Sequence, residues 1–236
     1  MLKSKELRVK AWESLKGKYW MALLASLITG AIYSLGEGLT SLSRNLAEIP
    51  ASVDVSELDS TMVVGGAVIS GIALVLLVIG VIFGFFVGNV AMAGACNYYI
   101  KNTDSKPSLS DAFSTFKVKY TRNVGTLLLR DVKTILWTFL FIIPGIIKSY
   151  EYAIIPYILA DDPEISSKDA FKKAKAMMTG NKWRLFKLNF SFIGWELLTI
   201  LTLGLGMFFL VPYIEAANAE FYVELKNKSN IYKGEY

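Results

Sequence analysis

The sequence has no histidine and a single cysteine, Cys96. The first absence removes the commonest general base and the commonest metal ligand. The second excludes an intrachain disulfide and a cysteine zinc site. Charge is scarce as well: 19% of the 236 residues are charged and 53% are hydrophobic, against about 25% and about 45–50% in typical soluble domains. The charges cluster between long uncharged runs, the pattern of a chain solvated largely by lipid. There is no Walker loop, nucleophile elbow, HExxH pair or metal-ligand cluster, so no catalytic, cofactor-binding or metal residue is expected. The net charge of +5 does not point to nucleic acid, because the basic residues flank apolar runs, where positive-inside bias accounts for them. No cleavable signal peptide is expected either. Eighteen charged, amphipathic residues precede the first apolar run, and no clear small-x-small site follows it.

What is present is apolar sequence in long blocks. The first block runs from Tyr19 to Leu35 and extends to about Leu42; the second, Met62 to Ala95, is long enough to tilt, kink or project from a bilayer. A third covers about Thr134 to Ala160. Leu185 to Leu203 and Gly206 to about Leu225 form the last pair. Trp12, Tyr19, Trp20 and Trp183 suit interfacial belts, and Pro156 and Pro212 suit kinks.

Lysines and arginines orient these blocks. Residues 1–18 carry six, 101–133 seven, 161–187 seven and 226–236 three, together 23 of the 25 in the chain. Residues 36–61 carry only Arg44, against Glu37, Glu48, Asp54, Glu57 and Asp59. The four basic segments are expected in the cytoplasm and the acidic one outside. That is consistent only if the third block turns back on itself. Pro144 and Gly145 are the expected turn, with Lys148 close to it. The arms are short, about 21 Å for the first at 1.5 Å per residue, so a full transmembrane hairpin and a re-entrant one both stay open.

Short amphipathic segments precede each hairpin, around Ser4–Lys16, Ser108–Tyr120 and Ser166–Asn181. In the last, Ser166 and Asp169 resemble a capping box and Gly180-Asn181 suits a helix end. "SDAF" at 110 echoes "KDAF" at 168, "GKYW" at 17 echoes "GNKW" at 180, and "IPYI" at 155 echoes "VPYI" at 211. The reading is a single membrane domain over 1–236, with repeats at 1–100, 101–160 and 161–225 and a cytoplasmic tail at 226–236. Gly80, Gly84 and Gly88 form a small-residue ladder suited to helix packing, within the chain or at a homodimer seam.

Ionisable residues inside apolar blocks are costly and tend to face a cavity or a partner. Glu196 and Glu215 are expected at similar depths, and Lys148 and Glu151 are spaced to pair. These four make a candidate intramembrane polar site; the alternative is a buried network that fixes packing, drawing on Asn189, Asn218 or tyrosines. Lys168, Lys172, Lys173, Lys175, Lys182 and Arg184 are candidate contacts for anionic lipid headgroups, or simply a solvated connector.

The stretches "LWTFLFIIPGIIKSYEYAIIPYILADDPEIS" and "GNKWRLFKLNFSFIGWELLTILTLGLGMFFLVPYIEAANAEFY" resemble the bacterial integral-membrane family catalogued as domain of unknown function 975, widespread in Gram-positive bacteria. The resemblance covers most of the chain and is most specific from Leu136 to Tyr222. It implies a plasma-membrane location and a multi-span helical fold, and it transfers no catalytic residue. The expectation is an all-α polytopic protein with about six transmembrane helices in three hairpins and both termini cytoplasmic. Three functions remain: a noncatalytic scaffold contacting lipid, a membrane-protein partner or a second copy; a transporter using the polar site; or a lipid-modifying enzyme.

Overall fold

The structure, a computed structural model, describes residues 2–51 and 59–233. Asp54, Glu57 and the tail residues 234–236 lie outside the described residues. Regular structure among the described residues is entirely helical. The chain divides into two compact units, Gly30–Asn89 and a larger one made of Met1–Thr29 and Val90–Tyr236. The larger unit draws on all three stretches read as repeats.

The Gly30–Asn89 unit contains most of α2 (Tyr19–Ala51) and all of α3 (Ser60–Phe83). Asp59 starts α3 by accepting the Met62 N–H at 2.8 Å. Burial holds the two together only where glycines permit it. A Cβ on Gly80 would lie 2.9 Å from the Gly36 carbonyl, and one on Gly36 3.0 Å from the Gly84 backbone; Gly88 meets the Tyr33 ring. Elsewhere α3 exposes Val, Ile and Leu around its circumference and buries only Ala73 and Gly80. A π-helical turn, Gly84–Gly88, joins α3 to α4 (Asn89–Asp104). Two helices, Tyr19–Ile49 and Ser60–Asp104, are long and apolar enough to cross a membrane.

The larger unit is built on a device used three times: an amphipathic helical segment, a left-handed residue, then a second helix. In the first copy α1 (Ser4–Leu15) buries Leu7, Ala11 and Leu15, and Gly17 turns at φ +73° into α2. In the third, α9 (Ser167–Met178) buries Ala170, Ala174, Met177 and Met178, and Gly180 turns at φ +76° into α10 (Lys182–Phe190). Both are type II turns, with the preceding residue at ψ near 120° and a closing hydrogen bond of 3.0 Å, Lys18 N–H to Leu15 O and Asn181 N–H to Met178 O. In the second copy the amphipathic segment is a 3-10 turn, Leu109–Phe113, followed by the short α5 (Ser114–Lys117), and Lys119 at φ +45° leads into α6 (Tyr120–Leu140). Each copy opens with an acid bonded to the N-cap backbone or side chain: Glu6 to the Lys3 N–H at 2.7 Å, Asp111 to the Ser108 N–H at 2.8 Å, Asp169 to the Ser166 hydroxyl at 2.6 Å. These bonds satisfy donors or fix the cap where a helix start leaves N–H groups unpaired.

The second hairpin does not turn at Pro144-Gly145. The chain breaks at Phe141, which has extended backbone, and α7 (Ile142–Tyr152) begins one residue later. Pro144 falls in the first turn of α7, where a missing N–H costs nothing. Gly145 instead lets the arms meet, since a Cβ there would lie 2.5 Å from Thr138 Oγ1. Lys148 is seven residues beyond the break, not at it. Pro156 opens α8 (Ile155–Asp161), and α10 is followed by α11 (Ile193–Leu201) and α12 (Met207–Lys233), with Pro212 inside α12.

Candidate functional site

The core of the larger unit is aromatic and small at once. Tyr98, Tyr99, Phe192, Phe221 and Tyr222 are fully buried among alanines of α4, α9 and α12. Ion pairs join several of the helices of this unit. Glu151, itself 4% exposed, takes the Lys148 ammonium at 2.7 Å on one oxygen and the Lys182 ammonium on the other. Asp161 accepts from Lys226 at 2.6 Å and from the Tyr222 hydroxyl at 3.0 Å. Arg184 donates to Glu224 at 2.7 Å, to the Leu2 carbonyl at 2.9 Å and to Asn181 Oδ1 at 3.0 Å, while Glu224 also accepts the Leu2 N–H. α8 meets α12 here, Tyr157 stacking on Tyr222 with ring centres 5.6 Å apart.

The residues expected to form one polar site are thus dispersed. Lys148 and Glu151 pair at their i, i+3 spacing and recruit Lys182. Glu215 meets the Tyr157 hydroxyl at 3.5 Å, and Glu196 lies on the exposed face of α11; no hydrogen bond joins the two glutamates. Among the expected headgroup contacts, Lys182 and Arg184 are committed to internal ion pairs. Lys168, Lys172 and Lys175 remain exposed on α9, with Lys173 half-buried. The unforeseen partners are Asp161, which stands beside Asp162, and Glu224, two residues before Lys226; both positions read as ordinary surface charges.

The second copy's cap carries an ion pair of its own. Asp111 bonds Lys101 at 2.6 Å as well as Ser108. Burial pushes its carboxyl up, but the Lys101 ammonium and the Ser108 N–H and hydroxyl outweigh this and hold it below the usual carboxylate value. Two cavities flank the α1–α12 seam. One, about 410 Å³, is lined by Leu2, Lys10, Glu220, Val223, Glu224, Asn227 and Lys228. The other, about 510 Å³, is walled mainly by Trp12, Trp195, Leu198, Phe209, Leu210 and Tyr213. The first gathers two glutamates and two lysines, the second is largely apolar, and no group of three or more metal-ligating side chains occurs among the described residues.

Fold and site together define an all-helical protein with two helices long and apolar enough to cross a membrane and with its best-connected ionisable groups tied into helix contacts. Residues 139–229 match the model of the family described as Protein of unknown function (DUF975), the family that this stretch resembles by its motifs. No curated protein and no solved structure matches the chain.

Proposed function

We propose that this chain is a noncatalytic scaffold of the bacterial plasma membrane, with six apolar arms in three hairpins, both termini cytoplasmic, and no cofactor. The observation that carries the reading is the fate of its charges: Lys148, Glu151 and Lys182, Asp161 and Lys226, and Arg184 and Glu224 tie helix ends together. A transport path would need such groups to face a continuous polar cavity. The free side of α9, with Lys168, Lys172 and Lys175, is suited to anionic headgroups, each basic residue near such a surface adding about 1 kcal/mol.

Copurification of the full chain in mild detergent tests this. Anionic lipid or a membrane-protein partner retained in stoichiometric amount, and lost when those three lysines become glutamines, is the expected result. A second reading, a permease, draws on Glu215 beside Tyr157. It requires Glu215→Gln and Glu196→Gln to abolish an ion or solute flux in vesicles; flux-free vesicles and unchanged growth of both variants would leave the scaffold.

A further inference from the structure

The second and third hairpins end in bare hydrocarbon. Phe139 is 87% exposed at one tip and Leu203 95% at the other, among Leu140, Phe141, Ile142 and Ile143, and Leu201 and Leu205. These tips are short. Counting from Phe141, the first charge up one arm is Lys133, eight residues away, and down the other Lys148, seven away. Counting from Leu203, Glu196 is seven residues away on α11. At 1.5 Å per residue these uncharged stretches reach about 11–12 Å. Only the α12 arm runs further, twelve residues to Glu215. The hydrocarbon core of a bilayer is about 30 Å thick, so half of it is about 15 Å. By contrast, α2 has no charge from Tyr19 to Gly36 and α3 none along its whole length of 24 residues, stretches of about 27 and 36 Å.

We infer that the α6–α7 and α11–α12 hairpins are wedges that enter one leaflet of the bilayer and stop near its midplane, while the α2–α3 hairpin crosses it. This rests on the membrane reading above and refines its third to sixth arms. The occupant of both tips is the acyl-chain layer of a single leaflet. If the second hairpin crossed fully, Asp131 and Glu151, each ten residues from Phe141, would sit at the bilayer centre, where charged groups are rare and costly. At half depth they reach the headgroup level instead. The cations nearest the tip are placed to suit that boundary: Lys133 lies 4.0 Å over the Phe171 ring and Lys148 5.6 Å over Trp137. Lys148 also bonds Glu151 at 2.7 Å, and long cationic side chains at the edge of an apolar band bury their stems while keeping the charged head at the polar boundary. The two-residue tip Leu203-Gly204 adopts positive φ and closes back on Thr199 through the Gly204 N–H at 2.8 Å, so its backbone donor needs no water.

Single cysteines at the tips test depth. In full-length Cys96→Ala protein reconstituted in lipid vesicles, Phe141→Cys, Leu203→Cys and a control at the exposed start of α3, Ser60→Cys, are compared. Both tip residues are exposed, so the substitutions leave the fold intact; elution as the parent does confirms it. The expected result is that an impermeant maleimide labels position 60 from one side only and leaves 141 and 203 at least tenfold slower from either side. Nitroxides at 141 and 203 should then be accessible to oxygen and shielded from a nickel chelate. Labelling of 141 or 203 from the side that labels 60 would show full crossing and overturn the wedge while leaving the membrane reading intact. Labelling from the opposite side would place the tip in water and also overturn it. A nitroxide shielded from oxygen too would mean protein, such as a second copy, covers the tip. Recovery of the chain from cells without detergent would instead defeat the membrane reading itself.

Discussion

A left-handed backbone at positions 17, 119 and 180 puts glycine where it is needed twice and lysine where it is not. An L-residue with a Cβ pays roughly 1–2 kcal/mol in that region. Gly17→Ala and Gly180→Ala should therefore each lower stability by about 1 kcal/mol, although a Cβ at either site meets no neighbour. Lys119→Gly, which loses the Glu164 ion pair between two well-exposed side chains, should be neutral or stabilising, because exposed pairs are worth little. Thermal unfolding of the three variants in detergent, followed by circular dichroism, checks the opposite signs. The same scale governs Asp111. Its folded carboxyl is held below its ordinary value, so it adds stability above that value and loses it as pH falls through the folded one. Wild-type protein should thus lose more stability than Asp111→Asn in acid, below the usual carboxylate range, and differ most at neutral pH. Asp111 and Asp169 stood out in the sequence through the SDAF and KDAF echo; the turn at Lys119 did not, because lysine gives no signal for positive φ.

Between elements, glycine and ion pairs divide the labour. In the α2–α3 pair, a Cβ on Gly36 would meet the Gly84 and Gly80 backbone, and one on Gly80 the Gly36 carbonyl together with Leu39 Cβ and Thr40 Cγ2, so the backbone itself would have to shift. Gly36→Leu and Gly80→Leu should separate the helices and lower the melting temperature, whereas Gly65→Leu and Gly71→Leu, where a Cβ meets nothing within 4 Å, should not. A change of oligomeric state without loss of stability would favour a homodimer seam over this internal one. Where the elements of the larger unit meet, Glu151 couples α7 to α10. Removing it by Glu151→Ala strands two ammonium groups that are 24% and 29% exposed. Breaking a buried pair costs about 3–5 kcal/mol, and partial exposure of the two lysines puts the expected loss at the lower end, roughly 3 kcal/mol. Urea titration in detergent measures it, and Lys148→Ala, which leaves Lys182 in place, should cost less. The spacing of Lys148 and Glu151 announced their pairing; the arrival of Lys182 from 31 residues away could not be read from any local pattern. The turn at Phe141 was misplaced for a related reason. Proline marks the first turn of a helix as readily as its end, and only the close approach of Gly145 to Thr138 tells the two apart.

Across the whole molecule, one hydrophobic block conceals a change of surroundings. Met62 to Ala95 reads as uniformly apolar, yet α3 exposes bulky residues and α4 buries Val90, Ala91, Ala93, Ala95 and Cys96. Side-chain volume rather than hydropathy carries the difference: a Cβ on Gly94 would collide with the Ala112 carbonyl, so α4 is a helix cut small for protein neighbours. Charge operates at this scale as well. With 23 of 25 lysines and arginines in four segments and one in residues 36–61, translocation of the wrong side would carry basic residues across against the membrane potential, at about 2.3 kcal/mol per charge per 100 mV. The net difference is large enough that a single orientation should be populated. Cysteines at Ser110 and Ala176, both on exposed surface, should be labelled only in inverted vesicles. Ser60→Cys should be labelled only in right-side-out ones. Mixed labelling at every site would mean that charge does not set the orientation. Replacing Asp59 and Glu48 by lysine should then be the first pair of changes to erode it, because they put basic residues into a segment whose only one is Arg44.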